Sequence, residues 1–283
     1  MPDSLDEKIA MVTGANQGLG LALVRGLCRA LGDRGHVYLI ARDKDRGRAA
    51  CKGLEDEGLR PDFHLVDVTR DESVQALAET IRERHGGVDI MISNAAARIA
   101  KDVPAAQQVS GFIETNNHGT VRVIRAFSPL LRDNARFLVV ASSFGSLRHL
   151  HPSLHRKFDI KTISLDDIER VMDDYVAAVQ SGRASEAHWP DWINIPSKIG
   201  QVAAMKILAR NGKSDFRRGG VLIDAVCPGL VDTDAPRPWF DNMTGAASPD
   251  QAARDILWLA TLPPSASEPY GQLVQHQRIL PWT

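Results

Sequence analysis

A steady alternation of short apolar runs with longer amphipathic ones restricts this chain to very few folds. Lys8–Val12, His36–Ile40, Phe63–Val66, Val88–Ser93, Arg136–Ser142 and Val221–Val226 read as strands, with Gly271–Gln275 as a late one. Leu19–Ala30, Lys44–Glu57, Glu72–Arg84, Ala106–Leu131 and Ile199–Arg210 read as helices. Strands that are apolar throughout are buried on both faces, and helical connections between them make the pairing parallel. Right-handed crossovers then give an α/β fold with a doubly wound parallel sheet, in one domain over residues 1–283. A ligand of such a sheet sits beyond the carboxyl ends of the strands, near the switch in strand order.

Composition narrows the partners. With 283 residues and 43% hydrophobic content the chain can bury one large core. A formal charge of −1, from 34 basic and 35 acidic residues interleaved along the chain, argues against nucleic acid or an anionic membrane as partner. No apolar run has the length of a membrane span, and Met1–Glu7 lacks the character of a signal peptide, so the expected setting is cytoplasmic. Cys28, Cys51 and Cys227 are far apart and lack metal-ligand spacing; buried, reduced thiols are expected.

The turn after the first strand runs Gly14, Ala15, Asn16, Gln17, Gly18, Leu19, Gly20. Glycines between a strand and a helix permit a tight turn and let backbone N–H groups approach a pyrophosphate at the helix N-terminus. A small-molecule enzyme of Rossmann type, holding a dinucleotide, is the expectation. Arg42 follows the second strand, where a guanidinium suits the 2′-phosphate of NADP(H); Asp43 is better placed to cap the next helix.

Together with this turn, Asp67-Val68, Asn94-Ala95, Asn116, Ser142-Ser143, Lys198 and Cys227-Pro228-Gly229 resemble the short-chain dehydrogenase/reductase family. Leu39–Asp43 and the Cys-Pro-Gly turn look like its carbonyl-reductase branch. The resemblance implies that Asp67, Val68, Asn94 and Ala95 line the adenine and ribose side. It implies that Lys198 binds the nicotinamide ribose and that Pro228, Gly229, Val231 and Thr233 run along the nicotinamide. Ser143 matches the catalytic serine and Asn116 the asparagine of the proton relay. Between Ser143 and Lys198 lie 54 residues, far more than the usual spacing. An insertion over about 148–192 is implied, helical at Ser164–Val179, with Ile168, Val171, Met172, Tyr175 and Val176 on one face. It is expected beside the active site, over the face many relatives use for dimerisation, which implies a monomer. A substrate loop is expected over about 230–247.

The family's tyrosine, four residues before the lysine, is Asn194 here. The phenol gives a carbonyl oxygen its proton while the nicotinamide gives the hydride; a neutral carboxamide cannot act as that acid near neutral pH. Loss of a general acid costs roughly 10²–10⁴ in rate. His149, His151 and Tyr175 are possible substitutes, each more simply a surface or packing residue. An iminium ion needs no proton, only nearby negative charge and exclusion of water. Asp166 and Asp167 are candidates for that charge, with Arg132 positioning one of them at the end of the preceding helix. Their alternative role is helix capping, since Ser164-x-x-Asp167 is a capping-box pattern.

Lys198 without the tyrosine, followed by Asp234–Phe240 after the Pro-Gly turn, also resembles the fungal bifunctional reductase/Diels–Alderases that build bicyclo[2.2.2]diazaoctane indole alkaloids. That resemblance implies reduction or tautomer control of a cyclic iminium and an intramolecular [4+2] cycloaddition, with Asn194, Trp239 and Phe240 against the substrate. The alternatives are a carbonyl reductase with a substitute proton donor and an inactive NADP-sensing protein.

Overall fold

In the computed structural model, residues 7–239 and 242–283 are described. Phe240, one of the expected substrate contacts, lies outside them. Eight strands form one sheet: β1 (Lys8–Thr13), β2 (Gly35–Ala41), β3 (Asp62–Leu65), β4 (Val88–Ser93), β5 (Leu131–Val140), β6 (Leu222–Val226), β7 (Leu273–Gln275) and β8 (Arg278–Leu280). Their order is β3-β2-β1-β4-β5-β6-β7-β8. The seven strands from β3 to β7 pair in parallel, and only β8 runs antiparallel, against β7. The order reverses between β1 and β4, which sets the ligand crevice above those two strands.

The helices are α1 (Gly18–Leu31), α2 (Lys44–Asp56), α3 (Asp71–His85), α4 (Ala105–Ile113), α5 (Gly119–Phe127), α6 (Leu165–Gln180), α7 (Asn194–Asn211), α8 (Lys213–Arg218) and α9 (Pro249–Ala260). Alternate residues of β1 enter separate cores: Ala10 and Val12 join α1, α2 and α9, while Ile9 and Met11 join α3, α4, α5 and α7. The sheet is thus covered on both faces, as its unbroken apolar strands require.

Three expected boundaries move. The helix expected over Ala106–Leu131 is α4, a π-turn at Glu114–His118 and then α5, which ends at Phe127. Pro129 stops it because it has no N–H to donate to the carbonyl four residues back; a 3-10 turn over Ser128–Leu130 follows, and Leu131 already opens β5. Helix α7 starts at Asn194 rather than Ile199, since Pro196 falls in its first turn, where no N–H is needed. Helix α9 was not expected, although Ser248 and Gln251 form a capping box with Pro249 at the first helical position.

Candidate active site

The Gly14–Gly20 turn leads from β1 into the N-terminus of α1. Gly14 has φ +65°, and a Cβ there would stand 2.7 Å from Ala95 Cα. A Cβ on Gly20 would lie 2.4 Å from the Gly14 carbonyl oxygen. Asn94 ties the turn down: its backbone N–H donates to Thr13 Oγ1 (2.9 Å) and its side-chain amide to the Thr13 carbonyl (2.9 Å). Gln17, at the N-cap of α1, makes no side-chain cap. The first-turn N–H groups are therefore presented by bare backbone, a cradle that fits a pyrophosphate.

Most of the other expected cofactor contacts follow the carboxyl ends of the parallel strands. Arg42 is exposed just past the carboxyl end of β2 and forms no ion pair among the described residues. Asp43 caps α2 by accepting from the Arg46 N–H at 2.9 Å, as its position suggested. Asp67 accepts from the Thr69 N–H (2.9 Å) and hydroxyl (2.8 Å), which shapes the turn after β3, and Val68 is buried beside it. Gly229 has φ +74°, Val231 bridges to Ala247, and Thr233 sits against Gly18. The segment after β6 thereby returns to the dinucleotide turn.

Beyond the ends of β5 and β6 stand Ser143, Cys227 and Lys198. Ser143 is at the start of a short 3-10 turn, and the Cys227 thiol is raised by burial. Asn194 opens α7 and Lys198 follows one turn later, on the same side of the helix. Burial lowers the Lys198 amine to about 8. Its Nζ donates to Gln201 Oε1 (2.7 Å) and to the Val140 carbonyl (3.3 Å). Gln201 Nε2 donates to Thr120 Oγ1 (3.1 Å), and Thr120 donates to the Asn116 carbonyl (2.6 Å). Asn116 Oδ1 accepts from the Ala97 N–H at 2.7 Å. Gln201 and Thr120 were not singled out in the sequence; a glutamine three residues past a lysine carries no signal until the helix faces are known.

Aromatic rings border this centre. Phe144 meets Trp192 edge-on at 5.1 Å and His149 at 5.2 Å, and Trp192 lies 6.2 Å from Trp239. The Trp192 indole N–H is buried without a partner. His149 has its pKa lowered by burial. His151 stacks on His188 at 4.3 Å. Tyr175 is fully buried against Trp189, its hydroxyl unpartnered and its pKa pushed up by burial, so it packs rather than donates.

The expected pairing of Arg132 with Asp166 or Asp167 is not formed. Arg132 lies on β5, at the amino ends of the strands, where it donates to Asp89 (2.9 Å), the Glu7 carbonyl (3.0 Å) and the His85 carbonyl. Pro129 is the reason, because without its N–H the helix ends in a 3-10 turn and the chain is already strand when Arg132 is reached. Asp167 completes the capping box of α6 with Ser164, whose hydroxyl and N–H, with help from Arg170, hold its carboxyl down to about 2. Asp166 pairs with Arg125 of α5. Arg125 follows Asn116 by nine residues, roughly 13 Å along the helix axis and away from the strand ends. Residues 148–192 do contribute α6 against α4 and α7, and they carry Trp192 to the site. His118 adds a clasp: it meets Glu169 (3.4 Å) and Asp173 (3.0 Å), and the Glu169 bond raises its pKa.

Such a fold and site define an oxidoreductase of the doubly wound, nicotinamide dinucleotide-binding class. The family model for short chain dehydrogenase matches residues 8–153. Carbonyl reductase [NADPH] 1 of Rattus norvegicus is 35% identical over 284 residues, 99% of this chain and 100% of that protein. The Homo sapiens protein of the same name is 35% identical over 278 residues, 97% of this chain and 98% of that one. The chain belongs to the short-chain dehydrogenase/reductase family. Salutaridine reductase from Papaver somniferum has the same fold, with a TM-score of 0.79 at 22% identity over 94% of this chain and 99% of that one. Menthone neomenthol reductase from Mentha piperita follows with a TM-score of 0.78 at 24% identity, over 96% and 99%. These relatives are reductases; the narrower cyclase resemblance has no counterpart among them.

Proposed function

We propose that this chain is an NADP(H)-dependent reductase whose hydride acceptor takes no proton from the enzyme, a cyclic iminium being the fitting class. Asn194 carries the reading. It stands at the head of α7, one turn before Lys198, with a carboxamide where the family's ketone chemistry needs a phenol. No replacement acid is well supplied. Tyr175 is sealed in the core, and the lowered pKa of His149 leaves its ring neutral near pH 7.

The bound cofactor supplies the hydride. The chain supplies position: the Gly14–Gly20 cradle for the pyrophosphate, Arg42 for the 2′-phosphate, and Lys198 toward the nicotinamide ribose. An ammonium has three donors, and two of those of Lys198 are engaged by Gln201 and Val140. Phe144, Trp192 and Trp239 give flat apolar walls suited to an aromatic substrate. A [4+2] cycloaddition needs neither acid nor base, only a cavity holding two partners in reacting geometry. The aromatic walls and the missing phenol support that second step.

The test is single-turnover absorbance at 340 nm with NADPH or NADH and a cyclic prenylated iminium, with product chirality measured in parallel. Absorbance loss with NADPH and one enantiomer of the cycloadduct is the expected result. Unchanged absorbance with a single enantiomer would make the dinucleotide scaffolding only. A second reading, carbonyl reduction with a substitute donor, draws on the place of His149 against Phe144, the residue after Ser143, and on the relatives' names. Turnover of simple diketones by the parent protein would favour it. On the first reading only Asn194→Tyr reduces them, by a gain of roughly 10²-fold or more.

A further inference from the structure

The ends of the family's proton relay, Lys198 and Asn116, are joined here by two side chains. Lys198 Nζ donates to Gln201 Oε1 (2.7 Å), Gln201 Nε2 to Thr120 Oγ1 (3.1 Å), and Thr120 Oγ1 to the Asn116 carbonyl (2.6 Å). Gln201 is 1% exposed, Thr120 2% and Asn116 1%, so the line runs through dry protein between α5 and α7. Every donor points away from Lys198. A carboxamide accepts at one end and donates at the other without changing its charge, so this line orients an ammonium but does not pass a proton along.

A buried glutamine is also a costly way to fill a core position unless both ends are satisfied, and here both are. Its place is set independently, because Asn117, in the π-turn that leads into α5, pairs with Ser197 one turn earlier on α7: the Ser197 hydroxyl donates to Asn117 Oδ1 at 2.8 Å, and Asn117 Nδ2 donates to the Ser197 carbonyl at 2.9 Å. The two pairs lock α7 against α5 in one register.

We propose that Gln201 is a positioning residue: its carboxamide holds the Lys198 ammonium at the strand ends, in the orientation that leaves one N–H for the cofactor's ribose. The proposal deepens the reading above, on which Lys198 serves binding rather than a proton relay. The groups facing Lys198 from other elements are the Cys227 thiol after β6 and the Val140 carbonyl.

The test uses the full chain and two readouts that need no substrate: titration of Lys198 by NMR of ¹³C-methylated lysines, and NADPH affinity by fluorescence. In the parent, Lys198 is expected to titrate near 8. Gln201→Leu removes the acceptor at similar volume; it should lower the Lys198 titration further and weaken NADPH binding by about tenfold. Gln201→Glu sets an anion against the ammonium and should raise the titration while keeping NADPH affinity within about twofold of the parent. A folded Gln201→Leu protein in which either readout matches the parent overturns the proposal. Should Gln201→Leu not fold, an unmoved Lys198 titration in the isosteric Gln201→Glu overturns it instead. Failure of the iminium reading would leave both readouts intact.

Discussion

Asp224 lies in the middle of β6 with no exposed surface; one oxygen accepts from the Gln272 N–H at 2.8 Å and the other has no partner. Burial pushes its carboxyl up to about 8, against the opposing pull of Lys206 and Arg136. The folded state thus binds this proton more tightly than the unfolded chain does. The resulting stabilisation is complete below the ordinary carboxylate range and is lost as pH rises through about 8. Asp224→Asn, nearly isosteric and uncharged, removes the effect. In urea denaturation its stability relative to the parent should rise with pH between about 5 and 8, by at most about 1.4 kcal/mol per pH unit. A difference that does not change with pH would contradict the assignment. Among residues, the sequence made legible those whose placement follows from local spacing. The Gly14–Gly20 turn, Lys198 and Asn194 are of this kind, because a helix turn fixes which of them share a face. Arg132 and Gln201 were not, since one depends on Pro129 ending a helix and the other on which neighbour α7 faces.

Helix α6 shows how local and tertiary signals divide the same residues. Its apolar stripe, Ile168, Met172 and Tyr175, was readable by period and is buried as that period requires. Its first-turn acids permit two readings from sequence, and the structure gives both of them local partners: Asp167 the capping box and Asp166 the exposed pair with Arg125. Ser164→Ala should therefore cost about 1 kcal/mol of unfolding free energy. Asp166→Ala and Asp167→Ala should leave the rate of hydride transfer to an iminium within about twofold of the parent, a margin of some 0.4 kcal/mol in barrier height. A folded variant of either acid with a hundredfold slower single turnover would return that carboxylate to the chemistry. The π-turn between α4 and α5 had no sequence signal, because it inserts one residue into a helix whose period continues on either side.

At the scale of the molecule, the strand order and its switch between β1 and β4 follow from rules of handedness and connection, and so were open to the sequence. The surface beyond the sheet was not, as it depends on what residues 148–192 cover. Helix α6 packs on α4 and α7 and turns outward a face of charged side chains. On it Asp166, Arg170, Asp173 and Asp174 are 72%, 69%, 67% and 70% exposed. The apolar side of this helix is already spent on its own chain, so docking a second copy here would desolvate a row of charges with no apolar gain. Sedimentation velocity at micromolar concentration should accordingly give one species near the chain mass of 31.0 kDa, with or without NADPH. A species of twice that mass, persisting on dilution, would contradict the expectation, and loss of that species on charge reversal at Arg170 would place its interface on α6.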